Sequence, residues 1–173
     1  MTVASSSVPI PTKDSIWSLD RMFMIVIAGA LGTVAFGIFG QGISPLMGGS
    51  NLAPVPLAGS VFKSIAGFGY KPAAYLLHYF AGVICYPLAF ALIARPLWQK
   101  FAPILPWFVV AVIFGVIQWV FALYVMAHLV AGMPPFLKFT GITWAALYGH
   151  IIYALVAIGV SQYLTVRWGR KKN

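Results

Sequence analysis

Carboxylates are almost missing from this sequence. Of its 173 residues only Asp14 and Asp20 are acidic, and charged residues of both signs amount to 8%, where a soluble domain carries about a quarter. Both acids precede the first long apolar run. No carboxylate is therefore left within the apolar segments for acid–base work, metal binding or the proton coupling expected of a carrier. Other polar groups are scarce there too, mainly Thr33, Gln41, Gln118, Ser161 and Gln162, too few for the polar stripe of a pore. No nucleophile, base and orienting partner form a set, which argues against hydrolytic or transfer chemistry. Cys85 is alone, so no internal disulfide forms. No basic start closely followed by an apolar core opens the chain, so the first apolar run is expected to act as an uncleaved insertion signal.

What is abundant is hydrocarbon. Hydrophobic residues make up 61% and aromatics 16% of the chain, with a mean hydropathy of +0.93. Four runs, 22–43, 72–94, 107–130 and 143–164, each supply the ~20 residues that an apolar core of ~30 Å requires of a helix. Breakers punctuate them: Ser18 and Asp20 are capping candidates before the first, Ser44-Pro45 closes it, Pro72 opens the second, and Arg95-Pro96 ends it. The expectation is an all-α polytopic membrane four-helix bundle, a single transmembrane domain over residues 1–173.

The net charge of +9 does not point to nucleic acid, because the basic residues lie outside the apolar runs or at their ends. With a cytoplasmic N-terminus, the inner side holds Lys13, Arg21, Arg95, Lys100, Arg167, Arg170, Lys171 and Lys172, eight against the three of the outer side, Lys63, Lys71 and Lys138. Both termini are thus expected in the cytoplasm. The tail 165–173 anchors topology and suits anionic phospholipids. Trp17, Trp98, Trp107 and Trp168 fall at span ends on the same side and read as an aromatic belt.

The outer loop 44–71, rich in glycine and proline, has a partly apolar middle, 61–69, expected to lie across the outer mouth of the bundle as simple packing rather than as a lid. In the first span Gly29, Thr33 and Gly37 recur every fourth residue, with Ala28 and Gly32 alongside, a face for close helix contact. Pro87 is expected to free the carbonyl four residues earlier and to kink the second span. Histidine gives the most informative pattern. Ala74, His78 and Gly82 in the second span, and Ala146, His150 and Ala154 in the fourth, share one spacing, so each imidazole has a small residue one turn above and below. The chain thus reads as two tandem helical hairpins. His78 and His150 fall at nearly the same depth, with His128 nearer the outer surface.

Three readings of these imidazoles compete. His78 and His150 are suited to axial ligation of a b-type haem, or to a quinone site that includes Tyr153. In the second, His78, His128 and His150, together with Met126, are read as a copper or zinc set, although no carboxylate or usable cysteine supports it. In the third, favoured reading the imidazoles hydrogen-bond across helices and fix the bundle's register, with Gly82, Ala146 and Ala154 as packing positions and no cofactor.

The segments Ala28-Gly29-Ala30-Leu31-Gly32-Thr33, Leu77-His78-Tyr79-Phe80-Ala81-Gly82, Gly115-Val116-Ile117-Gln118-Trp119 and Leu147-Tyr148-Gly149-His150-Ile151-Ile152-Tyr153 resemble an uncharacterised bacterial family of four-span inner-membrane proteins, a domain of unknown function. The resemblance covers most of 22–164. It implies the architecture and a bacterial inner-membrane location, and no reaction. By elimination and size, the expected role is a non-catalytic accessory subunit or assembly factor of a larger inner-membrane complex of respiratory or photosynthetic type, in contact with other transmembrane subunits and phospholipids. The alternative is a redox relay subunit holding haem or quinone.

Overall fold

The computed structural model describes residues 18–169. The sequence readings on Lys13, Asp14, Trp17 and the tail residues Arg170, Lys171 and Lys172 lie outside them, as does the side chain of Trp168. The described residues contain five helices: α1 Leu19–Leu46, α2 Pro54–Ala66, α3 Lys71–Phe101, α4 Trp107–Val130 and α5 Gly141–Gly169. All but α2 are long and apolar enough to cross a membrane. The chain is an all-helical, multi-pass membrane protein.

α4 has the bounds that hydropathy predicts. α1 and α3 differ, since they run on through Pro45 and Pro96, where the sequence expects them to stop. Ordinarily a proline inside a helix leaves a carbonyl bare and crowds the preceding turn. Here the turn before each internal proline is widened. The amides of Ser44, Tyr86 and Arg95 reach back five residues to the carbonyls of Phe39, Ala81 and Phe90, the register of a π turn. In that register the nitrogens of Pro45, Pro87 and Pro96 face the carbonyls of Gly40, Gly82 and Ala91. The missing N–H is accommodated rather than ending the helix. At the start of α1, Ser18 takes the capping position without a side-chain capping bond.

The long helices pack in chain order around a ring that is not closed. α5 lies along α1 on one side and α4 on the other, and α1 also packs on α3. α3 and α4 stand apart, with a cleft between them lined by Ala89, Leu97, Ile113 and Ile117. α2 covers one end of this gap, resting on α3 and α4. The apolar middle of the 44–71 loop is therefore part of a longer helix that packs on the bundle.

Glycines set the closest approaches. A Cβ on Gly115 would stand 2.7 Å from the Cα of Ile151 and 2.9 Å from the carbonyl oxygen of His150, so α4 and α5 meet backbone to backbone. On α1, a Cβ on Gly29 would collide with the carbonyl of Val83, and one on Gly32 would stand 2.9 Å from the ring of Tyr153. Gly37 takes no part, with no atom within 4 Å of that position. Eight residues at ~100° each rotate it ~80° off the face of Gly29. The contact stripe runs through Gly29, Gly32, Thr33, Phe36 and Gly40 instead.

The α4–α5 connection contains four consecutive non-glycine residues with positive φ, Phe136 to Phe139, a left-handed turn that costs an L-residue about 1–2 kcal/mol each. Neighbours hold it. The Thr143 hydroxyl donates to the Phe136 carbonyl at 2.6 Å, the Trp119 indole donates to the Thr143 carbonyl at 3.0 Å, and the Phe136 ring lies on Trp119.

The two kinds of glycine separate in a stability measurement. Gly115→Ala forces backbone apart and should lower stability by about 1–3 kcal/mol, read as a lower thermal midpoint in detergent. Gly37→Ala meets open space and should be neutral or gain up to about 1 kcal/mol.

Candidate functional site

The polar features of the bundle converge at the end covered by α2. Four spans and α2 enclose a cavity of about 350 Å³ whose walls include Phe36, Leu57, His78, Tyr86, His150 and Tyr153. None of its lining residues carries a formal charge.

His150, on α5, is buried, and its Nδ1–H donates to the carbonyl of Ala146 one turn back, at 2.7 Å. A carbonyl only accepts, so this bond fixes the proton on Nδ1 and leaves Nε2 of the neutral ring as an acceptor. His78, on α3, is half-buried and makes no hydrogen bond among the described residues. Its ring lies between Phe36, at 6.2 Å, and Tyr79, at 5.2 Å between centroids. Phe36 also meets His150 edge-on at 5.2 Å. Both imidazoles thus pack on one phenyl ring. The cross-helix hydrogen bonds expected of them are not what holds the bundle: His150 bonds within its own helix.

Tyr153 instead makes a bond between α5 and α3. Its hydroxyl donates to the Gly82 carbonyl of α3 at 2.5 Å, in the core. Gly82 is the residue that Pro87 leaves without an amide partner in the widened turn, so the phenol replaces the missing N–H. The freed carbonyl is thus five residues before the proline, not four. The same device recurs in α1, where the Leu52 amide donates to Gly40 at 2.9 Å, five residues before Pro45. A glycine five residues ahead of an intrahelical proline occurs at both places, and this spacing was the signal that reading for kinks alone passed over.

Small residues also let α1 come close at this point. A Cβ on Gly82 would stand 2.5 Å from the Thr33 hydroxyl oxygen, whose own hydrogen goes to the Gly29 carbonyl at 2.8 Å. Ala146 and Ala154 are buried against the same core. His128 lies apart: its Nδ1–H donates to the Met133 carbonyl at 2.7 Å and its ring faces Tyr124, which ties the end of α4 to the next connection. Among the described residues no three of His, Cys, Asp or Glu are grouped to hold a metal ion, so the set of His78, His128 and His150 is not assembled. Haem fits the residues poorly: Phe36 fills the space beside both imidazoles, and no cation lines the cavity to receive propionates.

Gln118 is a structural problem that its place in the sequence does not reveal. It is 2% exposed on α4, and neither end of its amide has a hydrogen-bond partner. In a helix bundle within hydrocarbon such a group is destabilising.

Compared with protein-family models, curated proteins and solved structures, the chain matches none.

Tyr153→Phe should cost about 0.6–2 kcal/mol by unfolding in mixed detergent. In a Pro87→Ala background, where residue 87 regains an amide hydrogen for Gly82, the same substitution should cost less than half as much; equal costs in both backgrounds would contradict the repair. Gln118→Met should stabilise the bundle by about 1 kcal/mol in the same assay.

Proposed function

We propose that this chain is a non-catalytic integral subunit, or an assembly and stabilising factor, of a larger complex of respiratory or photosynthetic type in a bacterial inner membrane. Its termini face the cytoplasm and its spans form two successive hairpins, an orientation that follows from the basic residues gathered on one side. The observation that carries the reading is the unclosed ring. α3 and α4 leave an apolar cleft along the bundle, with exposed Ile93, Leu97, Phe101, Ile113 and Ile117 on or beside it. A helix or a lipid chain fits there, since small and aliphatic walls admit close packing in hydrocarbon. Other transmembrane subunits and phospholipids, anionic ones at the basic end, are the partners. Nucleic acid is not.

A second reading is supported by the other end of the same gap. An uncharged cavity with two imidazoles is a place for a redox ligand, which would make the chain a relay subunit. Of the two ligands that the sequence suggests for His78 and His150, quinone suits the walls better than b-type haem, for want of cations and because of Phe36.

Extraction in mild detergent tests the first reading: the 18.7 kDa chain should migrate with other membrane polypeptides at a much larger mass, and a chain that persistently runs alone would contradict it. The purified chain should also be colourless, and a Soret band with a reduced α band after dithionite would replace this reading with the haem one.

A further inference from the structure

The histidine cavity and the α3–α4 cleft adjoin. Cys85, Tyr86 and Phe121 line both, and the rings of Tyr86 and Phe121, edge-on with centroids 6.5 Å apart, stand where the two meet. The cavity holds about 350 Å³ and the cleft about 620 Å³, each within the range of small-molecule sites. The two ends differ in chemistry. No lysine, arginine, aspartate or glutamate lines either part, so a phosphate or carboxylate head would be buried without the cation that such groups require. The head that fits is uncharged.

The histidine end specifies it further. His150 spends its one ring proton on Ala146, so toward a ligand it is an acceptor and calls for an O–H donor. His78 has both ring nitrogens without a partner among the described residues and lines the same cavity, which provides a second polar contact. Phe36 and Tyr86 stand edge-on to His150, walls suited to a flat ring. The cleft offers the reverse. The Trp98 indole is already donated to the Leu105 carbonyl at 3.0 Å, and the Gln118 amide atoms are shut away from solvent, so the remaining surface is hydrocarbon and fits an apolar chain.

We propose that these two adjoining spaces bind a membrane hydroquinone, its aromatic head in the cavity that His78 and His150 line and its single apolar tail passing between Tyr86 and Phe121 into the α3–α4 cleft. The proposal rests on the second reading above and deepens it: the site selects the reduced, hydroxyl-bearing form of the ligand.

The test uses the full chain in phosphatidylcholine nanodiscs, with bound ligand extracted and quantified after equilibrium with four probes: a decyl-benzohydroquinone, the matching benzoquinone, the tailless methyl-hydroquinone and dioctanoylglycerol. The decyl-hydroquinone should saturate a single site and bind about tenfold tighter than the quinone, the worth of one retained hydrogen bond. It should also bind at least ~10-fold tighter than the methyl form, from burial of the tail. His150→Phe keeps a ring against Phe36 without the acceptor and should erase the difference between the two redox states. Ala94→Trp, which fills the cleft, should cancel the gain from the tail and leave methyl-hydroquinone binding unchanged. Equal binding of hydroquinone and quinone, equal binding of dioctanoylglycerol, or no saturable binding to the folded wild type would overturn the proposal, and these comparisons need no variant. A chain that binds hydroquinone but purifies alone loses the subunit reading and keeps this one, whereas a chain that purifies in a complex and binds none of the four loses only this one.

Discussion

A helix in hydrocarbon has no water to satisfy a carbonyl that a proline has deprived of its partner, and the architecture of this protein depends on how that deficit is met. At Pro45 and at Pro87 the solution is the same. The ladder widens by one residue, the bare carbonyl becomes that of a glycine five residues earlier, and a donor from outside the helix takes it: the Leu52 amide for Gly40, the Tyr153 hydroxyl for Gly82. Glycine matters at these positions because a neighbouring side chain packs where a Cβ would stand, the donor's own at Gly40 and that of Thr33 at Gly82. A Cβ on Gly40 would collide with Leu52, and one on Gly82 would press on Thr33. Each repair therefore doubles as a tertiary link. The first folds the α1–α2 connection back on α1, and the second binds α5 to α3 across the body of the bundle.

The remaining packing follows from these links. With α5 joined to α3 by a phenol and to α4 by the backbone contact at Gly115, and with α1 fitted between α3 and α5 through Gly29 and Gly32, the ring is held on three sides. The fourth side, between α3 and α4, has no comparable contact. α2 closes its upper part, and the space that results is apolar along its length and weakly polar only where His78 and His150 meet Phe36. The cavity is a product of where the helices are tied and where they are not.

Much of the scaffold is legible in the sequence, because four runs of hydrocarbon at membrane length have one stable solution. The span at 107–130 is placed to the residue, whereas α5, which likewise has no internal proline, runs over Gly141–Gly169 where hydropathy gives 143–164. The ends of α1 and α3 are misplaced because Ser44-Pro45 and Arg95-Pro96 look like stops until the widened turns before them are known. The stripe of Gly29 and Thr33 is visible from spacing, while Gly37 fails because the period of four drifts around a helix of 3.6 residues per turn. That His78 and His150 line one cavity is in keeping with their counted positions, but their shared contact with Phe36 is not readable, since nothing in sequence brings α1 to that point. Tyr153 is nameable as a site residue and its bond to Gly82 is not. The left-handed turn at Phe136 to Phe139 has no sequence signal at all, since none of its residues favours positive φ, and it is imposed by Thr143 and Trp119 from the neighbouring spans.

The bond from Tyr153 to Gly82 is the link on which the rest turns, and infrared spectroscopy observes it directly. With glycine carbonyls labelled with carbon-13, the difference spectrum between wild type and Tyr153→Phe should show one labelled amide I component moving to higher frequency, as a carbonyl loses its hydrogen bond. A flat difference spectrum from a folded variant would mean that the Gly82 carbonyl is satisfied some other way, and the account of how α3 and α5 are joined would fail.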